Sequence, residues 1–313
     1  MARAWADVDL RAVAANVEAL RERSAPAEVC AVVKADGYGH GAVPVARAAV
    51  EAGATWLAVA QVTEAAELRA AGLAVPILLL SEPRPDEVMA ALEAGAAVTV
   101  GGTDLLPHLT AAASPGSPVP VHLKVDTGMH RLGVAPADVV AVARAIHEHE
   151  ALSLDAMWTH CAVADEPDHP FTAQQLARYD AAVEAVEAAG IPVPLRHAAN
   201  SAAAIAHPAS RYDLVRCGIA VYGIPPAPAL ADRLPLVPAL RLATEVSALR
   251  SVPAGDGVSY GLHHRVAEDT VVATLPIGYA DGVTRALGLA GQAVLVGGRR
   301  CPMVGAVTMD QVM

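Results

Sequence analysis

Val29-Cys30-Ala31-Val32-Val33-Lys34-Ala35-Asp36-Gly37-Tyr38-Gly39-His40-Gly41 is the stretch on which the reading of the chain turns. Its first half is an unbroken apolar run, which suits a parallel strand buried on both faces, so a strand is expected over Val29–Ala35. Its second half is polar and glycine-punctuated, and the Ala-rich period behind it predicts a helix over Gly41–Ala52 that stops at Gly53. Strand, polar loop and helix make one β/α unit.

The unit repeats along the chain. Strands are expected at Trp56–Ala60, Pro76–Ser81, Ala96–Val100, Val119–Asp126, Leu152–His160, Leu195–Ala199 and Asp213–Cys217. The helices between them fall at Thr63–Ala71, Asp86–Ala94, Asp104–Ala113, Ala137–Glu148, Thr172–Ala189 and, shorter, Ala202–Ala206. Eight such units in roughly 220 residues match a (β/α)8 TIM-like barrel. An open doubly wound sheet is the alternative, but no glycine-rich dinucleotide fingerprint follows the first strand.

The pattern changes after Tyr222-Gly223. Prolines at 225, 226, 228, 235 and 238 read as a linker, followed by short alternating runs at Ala239–Leu249, Thr270–Pro276, Ala293–Val296 and Met303–Val307. The expected division is therefore a barrel over 1–228 and a mostly antiparallel β domain over 229–313. The sequence stops at Asp310-Gln311-Val312-Met313 in mid-strand, which would leave an unpaired edge, so this domain reads as truncated.

Composition narrows the class. The 313 residues are 54% hydrophobic but only 3% aromatic, so Ala and Val supply the bulk, as close helix-on-sheet packing requires. A net charge of −11 without a basic run argues against nucleic acid. The amino-terminal residues lack a signal-peptide pattern, and runs such as Val75–Leu80 are too short to span a bilayer, so a cytoplasmic location is expected. Cys30, Cys161, Cys217 and Cys301 are too scattered for a disulfide framework or zinc site; reduced thiols and no metal are expected.

Barrel chemistry gathers at the carboxyl ends of the strands. Here those ends carry Lys34, Asp36, Tyr38 and His40; Lys124, Asp126 and Arg131; Thr159 and His160; His197, Asn200 and Ser201; and Arg216 and Gly218. Such a set would be costly to bury without a ligand. A lone strand-end lysine is ordinarily a snorkelling surface residue. The apolar run before Lys34 implies burial, which would free its amine for Schiff-base chemistry. Ser201 opening a helix, with the flexible Gly218, offers donors where barrels bind phosphate. A Schiff-base lysine with a phosphate site suggests pyridoxal phosphate, with other phosphorylated ligands left open.

The ordered motifs resemble the alanine racemase family. Trp5-Ala6-Asp7-Val8-Asp9 with Asn16, the Ala31–Gly41 stretch, Lys124–Gly133, His197–Ser201 and Val215–Gly223 follow one another in the barrel half. Gly257–Gly261, Pro276–Gly282 and Val304–Gln311 complete the series, which spans essentially the whole chain. The resemblance implies a pyridoxal 5'-phosphate enzyme that interconverts L- and D-alanine by a two-base mechanism, supplying D-alanine for peptidoglycan. It implies that Lys34 carries the cofactor and acts as one acid/base, on D-alanine. Tyr260 is the other, on L-alanine, its phenol eased towards the working pH by a relay of His160, Arg216 and His197.

By the same resemblance Tyr38, Ser201, Gly218 and Ile219 hold the phosphate, within a cofactor site that also includes His160 and Asn200. Arg216 faces the pyridine nitrogen and, unable to protonate it, limits side reactions. Arg131 and the Met309 backbone meet the substrate carboxylate, Tyr279 narrows the entrance, Asp310 supports the loop, and Lys124 occupies a position often carbamylated to orient Arg131. A homodimer with shared active sites is implied. Thr308 stands where a cysteine is common, and a carboxyl-terminal segment with a phosphate-binding tyrosine is missing from the pattern. Rival readings are a broader small amino-acid (serine) racemase, a related decarboxylase, against which Arg216 argues, and a non-catalytic pyridoxal phosphate-binding barrel.

Overall fold

The structure is a computed structural model describing residues 4–313. It divides into two compact units, Asp9–Ala239 and the segment through Val8 joined with Leu240–Met313.

The larger unit opens with a helix the strand-and-loop reading passed over, α1 (Leu10–Ser24). Its signal was present: Asp9 caps it, accepting from Arg11 N at 2.9 Å, and Val13, Val17 and Leu20 recur on its buried side. Then come β2 (Glu28–Val32), α2 (Ala42–Glu51), β3 (Trp56–Val59), α3 (Val62–Ala70), β4 (Ile77–Leu79), α4 (Val88–Glu93), β5 (Ala96–Val100) and α5 (Leu106–Ala112). The series continues with β6 (Val119–Lys124), α6 (Val139–His147), β7 (Leu152–Trp158), α7 (Phe171–Ala188), β8 (Leu195–His197), α8 (Ser201–Ala206) and β9 (Leu214–Cys217).

Strands β2 to β8 pair in sequence, all parallel, and β9 pairs with β2. Hydrogen bonds from Asp213 N to Arg196 O (3.1 Å) and Arg216 N to Ala199 O (2.9 Å) join the remaining edges. This closure distinguishes a barrel from the doubly wound alternative.

The strand side chains alternate between two cores. Val29, Ala31 and Val33 pack outward with the helices, whereas Cys30 and Val32 join Ala58, Leu78, Ala97 and Leu214 in a separate inner cluster. The inner cluster fills the barrel with apolar side chains, as the fold requires. Along β6, Val121 and Leu123 belong to the helix-facing core, so His122 and Lys124 take the opposite face.

The smaller unit is built from β1 (Ala4–Val8), antiparallel to β10 (Leu240–Thr244), and from three further antiparallel pairs. These are β11 (Ala248–Val252) with β14 (Thr270–Thr274), β12 (Gly257–Val258) with β13 (His264–Arg265), and β15 (Ala293–Val296) with β16 (Arg299–Pro302).

Three expectations change. The units part at Ala239/Leu240 rather than after 228, because the proline-rich segment is fastened to α1. Asn16 donates to Val221 O (3.1 Å) and Val237 O (2.8 Å) and accepts from Val237 N, while Leu230 and Leu234 are buried. The run 239–249 is two strands rather than one. Met303–Val307 is not a strand; the charged Arg299–Pro302 pairs instead, brought round by Gly297 and Gly298 at positive φ.

Candidate active site

The first strand ends sooner than its apolar run suggests. Beyond Val32 the chain enters a left-handed turn, with Ala35, Asp36, Gly37 and Tyr38 at φ of 52°, 51°, 60° and 55°. Left-handed backbone costs about 1–2 kcal/mol for each residue with a Cβ. Side chains fasten the turn: Asp36 Oδ1 accepts from Ala42 N (2.8 Å), and Glu64 Oε1 accepts from Ala35 N (2.5 Å). The second carboxylate oxygen of Glu64 holds Ala60 N and Gln61 N, each at 2.9 Å. The turn places Lys34 and Tyr38 on one cavity. Lys34 is half-buried rather than enclosed, because the strand gives way to loop just before it.

That cavity, ≈ 870 Å³, opens at the carboxyl ends of the barrel strands. It brings together Lys34, Tyr38, Lys124, Arg131, His160, Asn200, Ser201, Arg216, Gly218 and Ile219. His197 lies against Arg216 from within the barrel.

Arg216 is its most constrained member. The side chain is buried; Nη1 meets His197 Nδ1 at 2.7 Å, and Nη2 donates to Thr159 O (2.9 Å) and Ala198 O (3.2 Å) and lies 3.3 Å from His160 Nδ1. Trp158 underlies it, its ring 4.5 Å from the guanidinium carbon, 5.1 Å from Lys124 Nζ and stacked on His197 at 5.5 Å. Burial lowers the Arg216 pKa to about 10. His160 and His197 are pushed well below the usual imidazole value, by burial first and by the Arg216 charge second. Both rings are therefore neutral acceptors for the guanidinium. Arg216 Nε is buried without a hydrogen-bond partner among the described residues.

On the far side of the cavity, Ser201 Oγ accepts from Gly218 N (2.9 Å) and Ala220 N (3.3 Å), and Asn200 caps α8 by accepting from Ala203 N (2.9 Å). Tyr38 stacks on Tyr222 at 4.7 Å, and the Tyr222 hydroxyl donates to Val32 O (3.0 Å). A Cβ at position 218 would lie 2.4 Å from the Tyr38 hydroxyl, so glycine is what lets that hydroxyl reach the loop. Burial raises the Tyr38 pKa, keeping the phenol protonated.

Lys124 is 1% exposed and donates to Leu132 O. Burial, then the Arg131 and Arg216 charges, lower its pKa to about 8. The loop after it is shaped by Asp126, whose Oδ1 accepts from the backbone of Gly128, Met129 and His130 at 2.9–3.1 Å. Arg131 is exposed at its rim.

The remaining expected residues belong to the smaller unit, where Tyr260, Tyr279, Met309 and Asp310 line one cavity of ≈ 700 Å³. Tyr260 is held out by irregular backbone: Ser259, Gly261 and Leu262 have φ of 64°, 74° and 49°. Ser259 is tied down by a bond from its hydroxyl to Ala306 O (2.6 Å). The 278–282 turn is stacked on the Thr308–Gln311 loop by bonds from Tyr279 N to Thr308 O and Ala280 N to Met309 O. Arg285 lies over the Tyr279 ring at 5.9 Å. Thr308 clasps its own loop, donating to Gln311 O and accepting from Gln311 N.

The comparisons with known proteins match both parts of the chain. The family models described as alanine racemase, N-terminal domain, and alanine racemase, C-terminal domain, match residues 8–226 and 239–313. The chain belongs to the alanine racemase family. Among curated relatives, the alanine racemase of Symbiobacterium thermophilum is 48% identical over 310 residues, covering 99% of this chain and 82% of that protein. That of Thermobifida fusca is 44% identical, covering 98% and 83%. Among solved structures, the alanine racemase from D-cycloserine-producing Streptomyces lavendulae superposes with a TM-score of 0.94 at 41% identity, covering 100% of this chain and 83% of that one.

Against that membership, what went unread in the sequence is the support beneath the site. Trp158, Glu64, Gln175 and His122 were not singled out. Gln175 donates to Thr127 Oγ1 (3.1 Å) and His160 O (3.0 Å) from near the start of α7. The available signal was polarity inside apolar runs: His122 interrupts Val119–Leu123, and Gln175 lies among buried positions of its helix. Among the described residues no cluster of His, Cys, Asp and Glu is arranged to hold a metal ion, and no helix is long and apolar enough to cross a membrane.

Proposed function

We propose that the chain is an alanine racemase, interconverting L- and D-alanine with pyridoxal 5'-phosphate held in the barrel cavity. The observation that carries this reading is the orphaned, buried Nε of Arg216 at a cavity that also holds Lys34 and the Tyr38–Gly218 approach. A pyridine nitrogen bearing a lone pair is the acceptor that this donor lacks. The residues thus fit the cofactor: Lys34 would hold its aldehyde carbon, Arg216 its ring nitrogen, and Tyr38, Ser201, Gly218 and Ile219 its phosphate, with His160 and Asn200 completing the wall. When bound, the cofactor supplies an electron sink that acidifies the α-carbon of an attached amino acid.

The protein's own groups then set the course of the proton. Arg216 has only N–H donors and keeps its charge at pH 7, so it would bind the ring nitrogen without protonating it. So held, the cofactor would be a weaker electron sink, a setting that favours racemisation over transamination. Racemisation needs a base on each face, and Lys34 and Tyr260 are the candidates, with Tyr260 acting on L-alanine and Lys34 on D-alanine. His160 Nδ1 lies 3.3 Å from Arg216 Nη2, which has no lone pair to offer it, so the ring proton of His160 is better held on Nε2, where it would stabilise a phenolate.

Arg131 and the Met309 backbone would receive the substrate carboxylate, with Tyr279 limiting access and Asp310 bracing the loop. A lysine amine neutral near pH 8 is the form that adds carbon dioxide, so Lys124 is suited to carbamylation and, so modified, to holding Arg131. The exposure of Tyr260 (74%) and Met309 (59%) leaves both free to meet the barrel mouth of a partner subunit, which supports reading the enzyme as a homodimer with shared sites. A cytoplasmic enzyme supplying D-alanine for peptidoglycan is the setting this activity implies.

The test is direct. The purified chain, given pyridoxal phosphate and L-alanine, should form D-alanine by chiral chromatography. Borohydride reduction should leave the cofactor mass on the peptide bearing Lys34. Cofactor on Lys34 without any D-alanine would replace this reading with a non-catalytic binding barrel.

A further inference from the structure

The hydrogen-bond chain at Arg216 does not end at His197. His197 Nε2 lies 3.1 Å from Nδ1 of His122, a side chain on β6 that is fully buried, tilted against Trp56 at 5.4 Å. Its remaining nitrogen, Nε2, is buried with no partner among the described residues. A histidine inside a barrel, bonded on one side only, is an expensive choice where a leucine would fill the space. Leaving such a buried group unsatisfied destabilises the fold. The position calls for a reason beyond packing.

The reason lies in the direction of the bonds. A guanidinium can only donate, so Nδ1 of His197 must accept from Arg216. A neutral imidazole accepting at Nδ1 carries its proton on Nε2, which therefore points at His122. His122 Nδ1 must then accept, which leaves its proton on the orphan Nε2. Each ring has one arrangement compatible with the next, and the sequence of donors runs Arg216, His197, His122. The opposite tautomer of His197 would aim an N–H at Arg216 Nη1 and push the guanidinium away.

We propose that His122 is a positioning residue that fixes the tautomer of His197, and through it the seat of Arg216 at the cavity floor. The side chain does not line the cavity; it acts by offering the acceptor that keeps His197 turned the right way. Burial, followed by the Arg216 charge, lowers the His122 pKa to about 3, so the ring stays a neutral acceptor across the physiological range. The kinetic consequence rests on the racemase reading above, whereas the tautomer itself does not.

Two measurements test this separately. Long-range proton–nitrogen correlation spectra of histidine-labelled protein, recorded without cofactor, should show His197 and His122 neutral and protonated on Nε2 between pH 6 and 8. Either ring protonated on Nδ1 overturns the proposal, whatever the enzyme does. In His122→Phe, which keeps size and aromaticity, the His197 signal should move to a mixture of tautomers. kcat should then fall about tenfold at nearly constant KM, the worth of one displaced buried hydrogen bond. His122→Gln, whose amide oxygen can accept from His197, should restore a single Nε2 tautomer and bring kcat to within about threefold of the parent. A His122→Phe protein with unshifted His197 resonances, or equal kcat losses in the Phe and Gln variants, would mean that His122 only fills space. Failure to racemise in the parent chain would remove the racemase reading and leave the spectra to decide the tautomer.

Discussion

The barrel mouth and the Tyr260 loop carry the two halves of the proposed acid–base pair, and they are built on opposite principles. Around Arg216 the side chains are buried, hydrogen-bonded from several strands and stacked on Trp158. Around Tyr260 the side chain is exposed and its position is set by backbone, through the positive-φ residues Ser259, Gly261 and Leu262 on either side and the Ser259 anchor. A group that must tune a cofactor's electronics gains from a dry, rigid setting, where each dipole is undiluted by water. A phenol that, on the proposed reading, would meet its substrate only beside a second subunit needs an accurate aim and a free face. One half has already met its desolvation cost in the folded chain; the other would meet it on assembly.

The largest effect should separate the halves outright. Tyr260→Phe should lower racemisation of L-alanine by about 10³-fold while leaving the borohydride-trapped cofactor on Lys34 undiminished. Lost cofactor capture in that variant would show that the two halves are not independent. Mixed with Lys34→Ala chains and allowed to exchange subunits, it should recover about one quarter of the parent activity, since half the dimers are hybrids with one intact site each. No recovery, with hybrids visible by native mass spectrometry, would place both bases in one subunit.

A smaller effect sharpens the account of the barrel half. Gly218→Ala would set a methyl against the Tyr38 hydroxyl and should raise the Kd for pyridoxal phosphate by about 10- to 100-fold, read by fluorescence titration. Thermal stability should fall little, because the Tyr38 ring is partly exposed and can swing aside. Unchanged affinity would remove Tyr38 and Gly218 from the phosphate site.

The mildest test is a pH titration of stability. His122, His160 and His197 have folded-state pKa values below the unfolded value, so the unfolded chain binds more protons in the window beneath about pH 6.5. Stability is therefore complete above that pH and lost as pH falls, by up to about 1.4 kcal/mol per pH unit for each histidine. Urea midpoints between pH 7.5 and 5 should show this, and His122→Gln should flatten the slope by roughly one third. An unaltered slope would mean that His122 is charged or exposed in the folded protein.

The parts of the molecule that could be read from the sequence share a property. The barrel strands are continuous apolar runs because both faces are covered, and the helices end at glycines such as Gly53, Gly72 and Gly190, all at positive φ. Lys34, Arg216 and Tyr260 stood out because their motifs are local in the chain. The carboxyl-terminal hairpins were harder: Arg299 and Arg300 are exposed strand residues, while the apolar 303–307 segment packs without a ladder partner. In a small half-exposed sheet, polarity no longer marks which residues pair.

By itself, then, the sequence determined the eight-fold strand and helix alternation and the order of the family's motifs, because burial on both faces and tight glycine turns leave local signatures. Only the tertiary structure decided that His122 and His197, 75 residues apart, share one hydrogen bond, and that Arg216 points them both in a single direction. It also decided that the proline-rich segment to Ala239 belongs with the barrel, since its partner is Asn16 at the other end of the unit. Donor and acceptor roles follow from which side chains meet inside a closed barrel, and closure brings together strands that no local pattern connects.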